Sequence, residues 1–144
     1  MDGSLKGGAK IFFSLLLCIL GLNYLVLFGL IYTESAFKIP AIIEAYGAFE
    51  FSEIVDHTSR FLSWFLLTFT IVTSVFFTTS YSNKLKSFFA FLVPIFIVSD
   101  IGSMWLIKYS GLFAYQLFLS GAVLAVTFLA MFLLIQYDFW IKKK

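Results

Sequence analysis

Charged side chains are scarce in this chain of 144 residues: Asp, Glu, Lys and Arg together make up 12% of it, against 61% hydrophobic residues. Soluble domains carry nearer ~25% charge, so the composition excludes an ordinary water-soluble globule. It also leaves no basic patch of the kind that grips nucleic acid, and no nucleic-acid partner is expected. Cysteine occurs once, at Cys18, and histidine once, at His57. A lone thiol excludes exchange within a cysteine pair, and Cys18 is expected to be a buried, inert side chain. A lone imidazole excludes haem held between two histidines. The sequence contains no Ser-His-Asp grouping and no glycine-rich phosphate loop. No cofactor is expected, and an enzyme would lack an assembled acid–base pair.

What the chain has instead is length of apolar sequence. Four runs, 11–32, 61–79, 88–107 and 112–135, each exceed the ~17 residues that a helix needs to cross hydrocarbon at ~1.5 Å per residue. They predict an all-α integral membrane protein: one domain spanning 1–144, folded as a four-helix up-down-up-down bundle in a lipid bilayer. The first run stays apolar well beyond the ~7–15 residues of a signal-peptide core, and no small-residue cleavage site follows, so it reads as a retained span. Lys6, Lys10, Lys84, Lys86, Lys142, Lys143 and Lys144 fall on one side of the bundle, with only Lys38, Arg60 and Lys108 on the other. By the positive-inside rule both termini are cytoplasmic, in a plasma membrane or a bacterial inner membrane.

The connection 33–60 is expected to be an acidic outer loop, carrying Glu34, Glu44, Glu50, Glu53 and Asp56. Pro40 and the recurrence of Ile39, Ile42, Ile43, Tyr46 and Phe49 predict a short interfacial helix within it, and Ser52 is the expected N-cap of the second span. Small residues mark expected packing faces: Ser14, Cys18, Gly21 and Gly29 on the first span, Gly121 and Ala125 on the fourth.

Asp100 is the group that this architecture does not require. An ionised carboxylate near the middle of a membrane costs about 2.5–3.5 kcal/mol, so it must face inward and find a partner, a cation or a proton. Asp100 and Asn23 each lie about 12 residues above the inner ends of their runs, or ~18 Å, and so share a level. A polar layer of Asp100, Asn23, Thr68, Thr70, Ser99, Ser103 and Ser120 is expected there, with Arg60 as an alternative ion partner. Pro94 and Gly102 flank Asp100 and predict a kink in the third span. Glu50, Glu53 and His57 would share a helical face, a spacing that can ligate a divalent metal, although a solvated helix start explains it as well.

No motif selects a family. The absence of catalytic groups and the small-residue ridges favour a non-catalytic accessory, assembly or scaffold component, joined to another membrane protein or to a second copy of itself. The alternative is a small proton- or cation-coupled transporter built on the carboxyl of Asp100.

Overall fold

A computed structural model describes residues 7–142. Of the lysines used to orient the chain, Lys6, Lys143 and Lys144 lie outside the described residues. The described chain is helical: α1 (Gly7–Ser35), α2 (Ile39–Gly47), α3 (Phe51–Phe77), α4 (Asn83–Leu106) and α5 (Leu112–Gln136), the last running on into a π-helical turn, Tyr137–Ile141. Four of these helices, α1, α3, α4 and α5 with its extension, are long and apolar enough to span a membrane. Leu25, Val26, Phe91, Ile95 and Val98 face outward, an apolar surface that water would penalise and lipid does not.

The segment 33–60, expected as a loop holding one short helix, does contain that helix as α2, and its last residues already belong to α3. The chain leaves α1 through Ala36 and Phe37, both left-handed (φ 48° and 54°). Each non-glycine residue in that region costs roughly 1–2 kcal/mol. Aromatic packing holds the turn, with the Phe37 ring 5.6 Å from Tyr32 and 6.1 Å from Phe28. Ser35 reinforces it by donating its hydroxyl to Ile31 O and accepting from Phe37 N. With Pro40 in its first turn, α2 then folds over the end of the bundle away from the termini, called the outer end below, where Ile42 is buried with Ile107 and Ala114. Ile43 sits so close to Gly111 that a Cβ there would lie 3.0 Å from its Cδ1, which explains a glycine between α4 and α5.

The second span begins ten residues earlier than its apolar run. Its N-cap is Glu50, not Ser52, and Glu53 turns back to accept the Glu50 N–H at 2.8 Å, a reciprocal cap that polar side chains make without hydropathy announcing it. At the start of α4 the Ser82 hydroxyl accepts from Leu85 N. Pro94 removes one ladder donor, yet α4 is one continuous helix through both Pro94 and Gly102. The core is formed by Leu17, Phe69, Val72, Phe76, Leu124 and Met131, with α4 and α5 in the most extensive contact.

Candidate functional site

Asp100 lies in the last two turns of α4 and is 5% exposed. The hydroxyl of Ser120, completely buried on α5, donates to Asp100 Oδ1 at 2.8 Å and also approaches Leu117 O at 3.0 Å. One turn away the same two helices are joined again, by Gln116 Nε2 donating to Ser99 Oγ at 2.6 Å. Ser103, also buried, donates to Ser99 O at 2.7 Å. The α4–α5 half of the expected polar layer is therefore assembled, with Gln116 as a member that depth counting missed. Gly121 lies beside the carboxyl, where a Cβ would rest in ordinary contact 3.6 Å from Oδ1.

The other half differs. Asn23 and Thr70 face outward, and Thr68 is buried among the core residues of α3. The residue that α1 turns inward is Tyr24, next to Asn23. Its ring stands 4.8 Å from both Trp64 and Phe128. Arg60 does not reach Asp100 but pairs with Asp56 at 2.6 Å, an exposed i,i+4 contact of the kind worth about 0–1 kcal/mol. Nor do Glu50, Glu53 and His57 come together: Glu53 is engaged in the helix cap, while His57 stacks on Phe49 with centroids 4.8 Å apart. Among the described residues no group of His, Cys, Asp and Glu could hold a metal ion. Cys18, expected to be buried, is exposed on the outer face of α1.

Above Asp100 opens a cavity of about 450 Å³ between the outer halves of α1 and α5, roofed by α2 and backed by α3. Its wall carries aromatic rings from every side: Tyr24 and Phe28 from α1, Tyr46 from α2, Phe61 and Phe65 from α3. Among the described residues two carboxyl groups line it, Asp100 at the floor and Glu34 at the end of α1, and no Lys, Arg or His does. Tyr46 is held as a neutral phenol. Burial first, then the negative charges of Asp100 and Glu34, push its pKa up from 10.0 to about 12. Several wall residues, Phe28 on α1 with Phe118, Ala122 and Val126 on α5, are exposed, so the cavity opens sideways through the gap between those helices.

The inner end of the same helix pair is closed. Lys10 Nζ donates to Phe139 O at 3.2 Å, Ser14 Oγ to Gln136 Oε1 at 3.0 Å, and Trp140 Nε1 to Ser14 Oγ at 3.0 Å. Beside them Asp138, which lies in the π turn and past the last apolar run, is as buried as Asp100. Its Oδ2 accepts from Ser80 N at 3.1 Å, its Oδ1 accepts from the Ser80 hydroxyl, and Lys142 Nζ lies 3.9 Å away. The Tyr81 hydroxyl closes the group by donating to Leu134 O. Burial, followed by the charge of Asp138, holds that phenol above its usual range. The sequence signal for this knot was the i,i+4 spacing of Asp138 and Lys142.

A model of a transmembrane helical domain matches residues 50–144. The chain belongs to that family, Aq_1264_TM. No curated protein and no solved structure matches it. The protein is a multi-pass membrane protein, and its apolar helices have a lipid bilayer as their surroundings. The Aq_1264_TM match covers α3, α4 and α5, and with them Asp100, Ser120 and Asp138. Helices α1 and α2, which supply Tyr24 and Tyr46 to the cavity, precede it.

Proposed function

We propose that this protein is a small membrane carrier in which the carboxyl group of Asp100 exchanges a proton or a cation through the outer cavity. The observation that supports this reading is the cavity itself: a buried acid with one hydroxyl partner forms the floor of an open space rather than packing against a second polar side chain. A carboxylate at this depth is unfavourable unless a proton or cation accompanies it. A binding cycle that alternates between those two companions couples one movement to the other. The lysine-rich ends are taken to be cytoplasmic, in a plasma membrane or a bacterial inner membrane, so that the cavity faces away from the cytoplasm.

The test is pH-difference infrared spectroscopy of the full chain in lipid, with Asp100→Asn to assign the carboxyl band. The expected result is a band that changes between about pH 5 and 8, as solvent protons reach the group. A band that stays constant over that range would overturn the carrier reading.

A second reading, a non-catalytic accessory or assembly component, has one observation in its favour. Asn23 projects from the outer face of α1 among exposed Leu22, Leu25 and Val26. An amide there would gain hydrogen bonds from another membrane helix, belonging either to a second copy or to a partner protein. On that reading, Asn23→Leu lowers the mass of the assembly extracted in mild detergent; an unchanged mass counts against it.

A further inference from the structure

We propose that the ligand of the outer cavity is a lipophilic organic cation, of the quaternary ammonium or phosphonium type, which enters from the membrane between α1 and α5. This inference rests on the carrier reading above and names its substrate class.

Charge carries the first step. The charged side chains lining the cavity, Asp100 and Glu34, are both acidic, so an anion would be repelled from the floor and from the mouth. A neutral ligand would leave the carboxyl to a proton and gain nothing from its charge. A small inorganic cation also fits poorly, because hard divalent ions need about six oxygen ligands, and no metal-holding cluster exists among the described residues. An organic cation has the complementary chemistry, since its charge is spread over a weakly hydrated body.

The walls carry the second step. Rings from α1, α2 and α3 line the space above Asp100: Tyr24, Tyr46, Phe61 and Phe65. A cation within about 6 Å of such a ring is attracted by its quadrupole, most strongly where water is excluded. The rings and the carboxyl together form a site selective for a positive charge carried on apolar groups. The volume of about 450 Å³ lies within the ~300–1,000 Å³ typical of small-molecule sites.

Access is the third. The exposed wall residues Phe28, Phe118, Ala122 and Val126 border the gap between α1 and α5, an apolar entrance from lipid. Glu34, exposed at the end of α1, draws cations toward the same opening.

A proton and the organic cation then compete for Asp100. The titratable groups that line its cavity are Glu34 and Tyr24 of α1 and Tyr46 of α2, with none from α3 or α5. Raising the pH from 5 to 8 therefore favours the organic cation.

The experiment uses the full chain in lipid nanodiscs, with empty nanodiscs subtracted to remove simple partitioning. Binding of tetraphenylphosphonium is compared with that of tetraphenylborate, which has the same shape and the opposite charge. Saturable binding of the phosphonium alone, at least tenfold tighter at pH 8 than at pH 5 and weakened at least tenfold by Asp100→Asn, is expected. Equal binding of the borate, or none of the phosphonium, overturns the proposal. If Asp100→Asn does not fold, the infrared carboxyl band of the unmodified protein is read with and without phosphonium, and no perturbation of that band is the overturning result. A band that responds to pH but not to phosphonium refutes the organic cation and leaves the carrier reading standing. A band that responds to neither refutes both.

Discussion

Asp138 and Asp100 are each only 5% exposed, yet the two ends of the bundle treat them in opposite ways. At the inner end Asp138 receives the Ser80 amide and hydroxyl and has the Lys142 ammonium nearby, so its charge is accounted for within the fold. At the outer end Asp100 receives one hydroxyl, from Ser120, and beyond it lies open space. Equal burial thus says little about role. What separates a structural acid from a candidate functional one is whether its remaining lone pairs meet protein or cavity.

The largest test of that contrast is to remove each acid in turn. Asp138→Ala leaves the Ser80 N–H without its acceptor and Lys142 without its carboxylate. With hydrogen bonds to a charged group worth ~1.5–3 kcal/mol, stability is expected to fall by about 2–3 kcal/mol. Asp100→Asn keeps an acceptor for the Ser120 hydroxyl and adds no bulk to the cavity, so its expected change is below about 1 kcal/mol. Chemical unfolding of the two variants in the same micelle compares them directly. An equal loss in both would mean that Asp100 is as structural as Asp138.

The two acids also differ in how legible they were. Hydropathy marked all four spans, because a helix in lipid must be apolar for about 20 residues whatever its partners are. It marked Asp100 for the same reason, as an exception inside a run. Asp138 stands outside the runs, where a charge is ordinary, and only the return of Ser80 from another connection makes it a site. Depth counting put Ser99, Ser103 and Ser120 at the level of Asp100, where α4 and α5 also bring them near it, but it gives height and not azimuth. One residue on a helix turns the side chain by about 100°, so Asn23 faces out where Tyr24 faces in. The cavity was not legible at all, since it depends on how far α1 stands from α5. The helical start of α3 was legible from its polar residues to within two positions, with Ser52 read as the cap that Glu50 and Glu53 provide.

A smaller effect sharpens the outer half of the comparison. The folded-state pKa of Tyr46, about 12, lies above its ordinary 10.0, so the folded protein holds the phenolic proton more tightly than the unfolded chain does. The corresponding stability is fully present below about pH 10 and is lost as pH rises through about 12. Thermal unfolding measured from pH 9 to 12 is expected to steepen in that window, and Tyr46→Phe should flatten it. Lysines titrate there as well, but they do so in both proteins, and the difference isolates the phenol. No difference would mean that α2 does not bury Tyr46 against the cavity in the membrane.

His57 gives the smallest and most direct expectation. It sits against the cavity wall, stacked on Phe49 and with its centroid 5.9 Å from Phe61 and 6.0 Å from Tyr46. Its Nδ1 is buried and has no partner among the described residues. Phenylalanine would keep the stacking and remove the unsatisfied nitrogen, so His57→Phe is expected to leave stability unchanged or to raise it by up to about 1 kcal/mol in thermal unfolding. If His57 instead ligated a metal with Glu50 or Glu53, the same substitution would lower stability in the presence of zinc and have no such effect with chelator present. The sign of that one difference decides whether the rim of the cavity is aromatic packing or a metal site. Aromatic packing leaves Asp100 and Glu34 as the groups that set the charge of the cavity.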